Sequence, residues 1–528
     1  MSNHFVAPTR REFIRTSTAT LGVLASRTAW AQTSAVPPLT ARVRLDPEHR
    51  LGKIDSRLYG NFIEHLGRCI YGGLYDEGSP LADADGIRTD VLAATRALGV
   101  TLLRWPGGNF VSGYHWQDGI GPKDARPARY DRAWFQRESN RFGTDEFFSA
   151  VGKMGARPYL CVNLGTGTPE EAANWLEYCN YPGGTYFSDL RKKNGHAAPY
   201  GVKLWGLGNE MFGSWQIGHR DAGGYGQLAL ETAKLMKWQD PTIELVASGA
   251  SNPDWDRPML ELLGPQVDYL SSHYYTVTDD LKDDYEILGS VAAMEHSLRS
   301  AEESAALASA RARRKTPIYI ACDEWNLLNN WSDGGKRDDP HKFEVPYNLR
   351  DALWVASALN LLQRHCATVR VANFAQLVND LAPMFTTPTG LLLRTTYHPL
   401  ALFARRSGPI ALAVAQDSPG FATKRFEQQP YLDASATYDE DKRKVTVALV
   451  NRRLDGPVNA QIHLNGYRAI AGGKHVLLTG ATPATQNTFE NPNAVAPRET
   501  TLSAAGTAWE QTLPPHSLTW LEFEVAKV

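Results

Sequence analysis

Cysteine is scarce and unpatterned in this chain. The 528 residues hold five, at positions 69, 161, 179, 322 and 366, and none forms a Cys-x-x-Cys pair. The odd count leaves at least one unpaired, and Cys161 and Cys322 sit inside apolar runs, so buried thiols are the reading rather than a disulfide framework. No Cys/His cluster has the spacing of a structural zinc site. Charge of one sign is also lacking: 55 Lys and Arg stand against 57 Asp and Glu, a net charge of −2, which argues against a general nucleic-acid binder. Past the N-terminal segment no run reaches the ~20 apolar residues that span a membrane. No glycine-rich nucleotide fingerprint follows the first strand-like run, and no Ser/His/Asp pattern stands out. What is present is an ordinary globular composition, 43% hydrophobic and 21% charged, with a sizeable core. The 14 Trp and 21 Tyr suit sugar faces but fill cores just as readily.

The first residues carry a pattern of their own. Arg10-Arg11 is followed by Phe13, Ile14 and Arg15, a mildly apolar stretch, and Ala29-Trp30-Ala31. Basic region, apolar region and small-x-small site in that order predict a twin-arginine signal over 1–31, cleavage before Gln32, and a periplasmic or secreted protein. A basic tail is the plainer alternative.

Eight strand-like runs follow, at 58–63, 101–105, 158–164, 202–207, 243–248, 267–273, 318–322 and 369–374. Helix-like segments lie between them, among them 89–98, 144–154, 169–178, 222–237, 285–312 and 347–365. Thr168-Pro169-Glu170-Glu171 reads as a cap, a proline at the first helical position and acids in the first turn. Eight such alternations predict an α/β fold, a (β/α)8 barrel over 56–394. Beyond 395 the helical pattern gives way to short alternating strands, a C-terminal antiparallel β-sandwich over 395–528. The stretch 32–55 contains the strand "LTARVRLDP", expected to cross over and join that sandwich.

Barrel enzymes place their reactive groups at the C-terminal ends of the strands. Here the first strand leads to Glu64-His65, the second to Asn109, the third to Asn163, the fourth to Asn209-Glu210, the sixth to His273-Tyr274-Tyr275, the seventh to Glu324 and the eighth to Gln376. Any one of these alone reads as a turn former, a first-turn acid or a satisfied core histidine. Carboxylates and amides on the same end of several strands point instead to acid–base or covalent chemistry on a polyhydroxylated substrate, with glycoside hydrolysis the leading case.

The motifs "YGNFIEHLGRCIYGG", "RWPGGNFVSGYHW", "FGTDEF", "VNLGTGTPEEAANWLEYCN", "GNEMFGSWQIGH" and "DEWN" resemble glycoside hydrolase family 51, the α-L-arabinofuranosidases. The resemblance runs from about residue 40 to the C-terminus and is densest over 57–380. It implies a retaining exo-glycosidase releasing terminal α-L-arabinofuranosyl residues from arabinan- or arabinoxylan-type polysaccharides and oligosaccharides. Glu210 matches the general acid/base and Glu324 the nucleophile, with the carboxyl groups roughly 5–5.5 Å apart. Glu210 should be protonated, its pKa raised by the neighbouring Glu324. The same resemblance makes Glu64, Asn109, Asn209 and Gln376 ligands of the furanose hydroxyls. It has Tyr275 orient the nucleophile, His273 line the site near the acid and Arg104 buttress the carboxylates. Cys69 is placed in the same pocket, a plain buried thiol being the alternative. No metal and no organic cofactor is expected, nor a nucleic-acid or membrane partner. The family suggests a homo-oligomer, often a hexamer.

Two departures stand out. Where relatives commonly read Met-Asp-Gly-Pro-Trp, this chain has Met211-Phe212-Gly213-Ser214-Trp215, and Gly72 replaces a frequent Glu. They put the leaving group and the exact furanose in question. The same mechanism on a galactofuranoside or D-arabinofuranoside is therefore one alternative, and a non-catalytic sugar-binding protein another.

Overall fold

In the computed structural model of the chain, residues 36–281, 283–329 and 338–528 are described. Eight strands form a closed barrel in chain order: β1 (Gly60–Phe62), β2 (Leu102–Trp105), β3 (Arg157–Val162), β4 (Leu204–Leu207), β5 (Glu244–Ala247), β6 (Tyr269–Val277), β7 (Tyr319–Leu328) and β8 (Val369–Ala375). Every neighbouring pair is parallel, and β8 pairs with β1 to close the ring. Such strands are covered on both faces, which is why they read as continuous apolar runs. Leu102, Tyr159, Leu204, Val246, Tyr269, Ala321 and Val371, one from each of β2 to β8, pack together as an inner layer. Their neighbours Leu103, Leu160, Trp205 and Cys322 belong to the shell shared with the helices.

The helices follow their caps. Thr168 Oγ1 accepts from the Glu171 amide at 3.1 Å ahead of Pro169–Asn180, and Asp221 accepts from the Gly224 amide at 2.7 Å ahead of Ala222–Gln239. The span expected as one helix over 285–312 is two, Asp284–Gly289 and Val291–Arg311. Ser290 breaks it: its buried hydroxyl donates to the Ile287 carbonyl at 2.7 Å and accepts from Trp354 Nε1 at 2.9 Å, competing with the helical ladder. No helix among the described residues is long and apolar enough to cross a membrane.

Ten strands, nine of them C-terminal to the barrel, form one sheet. The strand Leu39–Lys53 lies inside it, antiparallel to Ile410–Asp417 and parallel to Val458–Leu464. Val43, Leu45, Val447, Leu449, Ile462 and Phe523 belong to a core separate from that of the barrel. Trp509 and Phe523, on strands that do not pair with each other, meet edge to face at 5.2 Å, so the sheet curls into two layers over this core. The helix Leu349–Arg364 is buried almost all round because it lies between the two parts. On one side Trp354 meets Trp325 of β7 at 6.3 Å. On the other, Asn360 Nδ2 donates to Asp433 Oδ2 at 2.8 Å and Arg364 Nη1 lies 3.0 Å from Asp433 Oδ1.

Candidate active site

At the end of β4 the backbone turns sharply. Gly208 has φ 78° and Glu210 φ 44°. The left-handed conformation costs a non-glycine residue about 1–3 kcal/mol. A Cβ on Gly208 would also come within 2.9 Å of Met211 Cγ. Across the barrel, Glu324 lies within β7 and not after it, as the sequence suggested. Ala321 pairs with Ser271 of β6 and Glu324 with His273, three steps against two, so one extra residue is bulged out here. Side chains in a regular strand alternate between faces. The bulge breaks that alternation and lets Asp323 and Glu324 both reach interior partners, while Cys322 and Trp325 pack outward.

Glu324 is buried and held from two sides: Arg104 Nη1 donates to Oε1 at 2.6 Å and the Tyr275 hydroxyl to Oε2 at 2.8 Å. The other arm of the guanidinium, Nη2, donates to Asn209 Oδ1 at 2.6 Å. That fixes the Asn209 amide with its buried Nδ2 lacking a partner. Glu210 Oε1 lies 3.0 Å from His273 Nδ1, and Oε2 accepts from Trp215 Nε1 at 2.7 Å. His273 Nδ1 is also 3.6 Å from Glu324 Oε2, and Nε2 is 3.3 Å from Asp323 Oδ1. One oxygen of Glu210, one of Glu324 and a ring nitrogen of His273 lie within 4.8 Å of one another. These three could share a cation, but the Arg104 guanidinium already bonds Glu324.

The electrostatics differ from expectation. Burial pushes Glu210 upward, yet its hydrogen bond to His273, the imidazolium charge, Trp215 and Arg104 outweigh that and hold the carboxyl below its ordinary value. Glu324 is therefore not the neighbour that decides the Glu210 pKa. Burial pushes His273 down, but the Glu324 charge and the bonds to Asp323 and Glu210 raise it to about 10. The proton assigned to Glu210 from sequence is thus one that Glu210 and the imidazole share across 3.0 Å. Glu64 goes the other way: burial and the Glu324 charge raise it to about 8, opposed by donation from the Phe110 amide at 2.9 Å and Trp134 Nε1 at 2.8 Å. Gln376 Nε2 reaches its second oxygen at 3.2 Å.

A cleft of about 390 Å³ opens over these groups, lined by Glu64, Asn109, Glu210, Tyr275, Glu324 and Gln376 of the residues named from sequence. Arg104, Asn209 and His273 are not among the lining residues but contact the cleft's carboxylates or each other. Cys69 does not line the cleft; it is a buried thiol pushed upward by burial. Sequence reasoning missed three residues. Asp323 is buried, accepts from the Tyr159 hydroxyl at 2.7 Å and lies 3.6 Å from Arg104 Nε; the charges of Arg104 and His273 hold it well below the usual range against burial. Its place beside Glu324 in "DEWN" was the available signal. Trp134 and Trp215 line the cleft from loops; the motif after the acid/base, which ends in Trp215, was the signal for one, and no pattern marked the other. Of the departures, Phe212 meets Trp215 edge-on at 5.8 Å and Trp255 at 5.8 Å, so it braces the cleft wall from behind. Gly72 has φ 77° and does not line the cleft.

A family model described as the α-L-arabinofuranosidase C-terminal domain matches residues 323–517, and the α-L-arabinofuranosidase 1 domain matches 94–292. The intracellular exo-α-(1→5)-L-arabinofuranosidase 1 of Bacillus subtilis is 39% identical over 86% of this chain and 93% of its own length. The chain belongs to glycoside hydrolase family 51. A second relative of this family 51 chain, the exo-α-(1→6)-L-arabinofuranosidase of Bifidobacterium longum, is 36% identical over 91% of the chain and 96% of its own. The crystal structure of the α-L-arabinofuranosidase from Thermotoga maritima in complex with arabinose superposes with a TM-score of 0.86, at 41% identity over 93% of this chain and all of that one.

One expectation is corrected by the comparison. The family 51 relatives from Bacillus subtilis, Streptomyces lividans, Halalkalibacterium halodurans and Acetivibrio thermocellus are all named intracellular enzymes, which overturns export by the twin-arginine route to the periplasm or medium. Paired arginines ahead of a mildly apolar stretch are a short pattern of low specificity, and residues 1–31, read as the signal, lie outside the described residues.

Proposed function

We propose that this enzyme removes terminal α-L-arabinofuranosyl residues from arabinan- and arabinoxylan-type chains by double displacement, with Glu324 as nucleophile and Glu210 as acid/base. The observation that carries the reading is the approach of the two carboxylates to within 4.8 Å on either side of His273. Oxygens that close fit the ~5–5.5 Å carboxyl spacing of a retaining enzyme better than the ~6.5–9.5 Å of an inverting one. Glu324, aimed by Arg104 and Tyr275, attacks the anomeric carbon as the glycosidic bond breaks. The leaving oxygen takes a proton from Glu210, which the Glu210–His273 pair supplies; water deprotonated by Glu210 then releases the sugar. Glu64, Asn109, Asn209 and Gln376 bind the furanose hydroxyls. The orphaned Asn209 Nδ2 suits the 2-hydroxyl, a contact that strengthens as the oxocarbenium ion develops.

The domain division belongs to the same proposal: a catalytic barrel over 56–394, a sandwich over 395–528, and a segment 32–55 that completes the sandwich. So does self-association into a homo-oligomer, with a hexamer as the expected form, which sedimentation of the purified protein checks. For the activity, the test is proton NMR of the first sugar released from arabinan. Arabinose appearing with its anomeric configuration retained supports the reading. Inverted product, or no arabinose, contradicts it.

A further inference from the structure

A second cavity, of about 540 Å³, adjoins the catalytic cleft. Trp134 and Trp215 are walls of both. Trp215 donates to Glu210 Oε2 at 2.7 Å, so this wall stands on the side where the acid meets the departing group. The second cavity differs from the first in charge. Three carboxylates line the cleft, whereas Arg132 and Lys342 line the second cavity with no carboxylate among the described residues. Nearby arginines are neutralised: Arg129 bonds Asp118 at 2.7 Å and Arg141 bonds Glu77 at 2.6 Å. Among the described residues neither Arg132 nor Lys342 has a carboxylate partner, and the Lys342 ammonium lies 5.6 Å from the Phe343 ring centre.

We propose that this cavity receives the leaving-group part of the substrate and favours one that carries a carboxylate, a uronic-acid residue, through Arg132 and Lys342. The inference rests on the arabinofuranosidase reading above. Indole faces accept the apolar side of a pyranose ring. A guanidinium offers a planar fork that matches a carboxylate, and an ammonium adds a point charge. Two cations with no carboxylate partner among the described residues, beside aromatic walls, make a site that gains from an anion. The cavity is open to solvent, so the preference should be modest and sensitive to salt.

The experiment compares kcat/KM for an α-L-arabinofuranoside of galacturonic acid with that for its methyl ester, which keeps the shape and removes the charge. The wild-type enzyme should favour the acid ~10-fold at low ionic strength. That ratio should fall toward one in about 0.5 M salt, where the screening length is only a few ångströms, and in the Arg132→Gln/Lys342→Gln variant. A wild-type ratio near one, a ratio indifferent to salt, or a ratio that survives in the folded double variant overturns the proposal. The salt titration needs only wild-type enzyme and decides the matter even if the variant does not fold. Nitrophenyl α-L-arabinofuranoside distinguishes the two levels. Its hydrolysis without an acid/ester difference overturns this inference alone, and no hydrolysis of any arabinofuranoside overturns the underlying reading with it.

Discussion

His273 Nδ1 lies 3.0 Å from Glu210 Oε1 and 3.6 Å from Glu324 Oε2, so one imidazole faces both carboxylates. Its pKa, raised to about 10, keeps the ring charged below that pH and discharges it above. Glu210 is held low chiefly by this neighbour, against burial. In His273→Gln the cation is gone, and Glu210 must hold the catalytic proton alone. A carboxyl releases a proton at lower pH than this imidazolium does. The alkaline limb of kcat/KM on a substrate with a poor leaving group should therefore move to lower pH. Rate profiles of wild type and variant check this, and an alkaline limb that stays in place contradicts it.

Arg104 is the common support of nucleophile and sugar ligand, with one arm on Glu324 and the other on Asn209, each at 2.6 Å. Arg104→Met leaves Glu324 and Asp323 buried without their main counter-charge, which should cost about 3–5 kcal/mol of stability. Arg104→Lys should restore much of the stability but little of the activity, because an ammonium cannot fork to two acceptors in fixed geometry. Urea denaturation alongside kcat/KM separates the two effects. Wild-type kinetics in the lysine variant would show that the fork is not needed.

Asn209→Ala removes a donor that is pre-oriented by Arg104 and has no other partner. Transition-state stabilisation should fall by roughly 2–4 kcal/mol, read as the drop in kcat/KM. Stability should fall as well, by about 1–3 kcal/mol, because the buried Arg104 Nη2 loses its acceptor, so the kinetics are read on the folded fraction. A near-wild-type kcat/KM would remove Asn209 from the sugar-binding set.

Asp433 ties the sheet to the helix Leu349–Arg364 through Arg364 and Asn360. Arg364 is 30% exposed, so the ion pair is partly screened. Asp433→Ala should cost about 1–3 kcal/mol, mostly from the Asn360 amide left with only its longer, 3.4 Å bond to the backbone carbonyl of residue 433. Thermal unfolding measures it; an unchanged midpoint would mean that apolar packing alone holds this junction.

The barrel was legible because parallel strands covered on both faces must be apolar throughout, and because Asn209-Glu210 and Asp323-Glu324 interrupt such runs with groups no core would accept. The bulge at Asp323-Glu324 was not legible. It exists only relative to the register of β6, and nothing local marks an extra residue. Nor was the break at Ser290, which depends on a hydroxyl finding Trp354 64 positions away. Trp134 bonds Glu64 across 70 positions from a loop without periodicity. The protonation of Glu210 was misjudged for a related reason. Sequence paired it with Glu324, whereas the fold inserts a charged imidazole between them and reverses the sign of the shift.

The assignment of the two glutamates is tested most directly by the anomeric configuration of glycosyl azide formed by two variants. Glu324→Ala lacks the nucleophile and should be nearly inactive on every substrate. Azide in the vacated space attacks the anomeric carbon once, giving inverted glycosyl azide. Glu210→Ala should be crippled on substrates with poor leaving groups and much less on nitrophenyl arabinofuranoside, whose departure barely needs a proton. Its glycosyl-enzyme still forms on Glu324, so azide gives the retained anomer. Proton NMR of the azide product from each variant reads the outcome. Inverted product from Glu324→Ala and retained product from Glu210→Ala is the predicted result. The opposite pairing, or substantial turnover by Glu324→Ala without azide, would contradict the account.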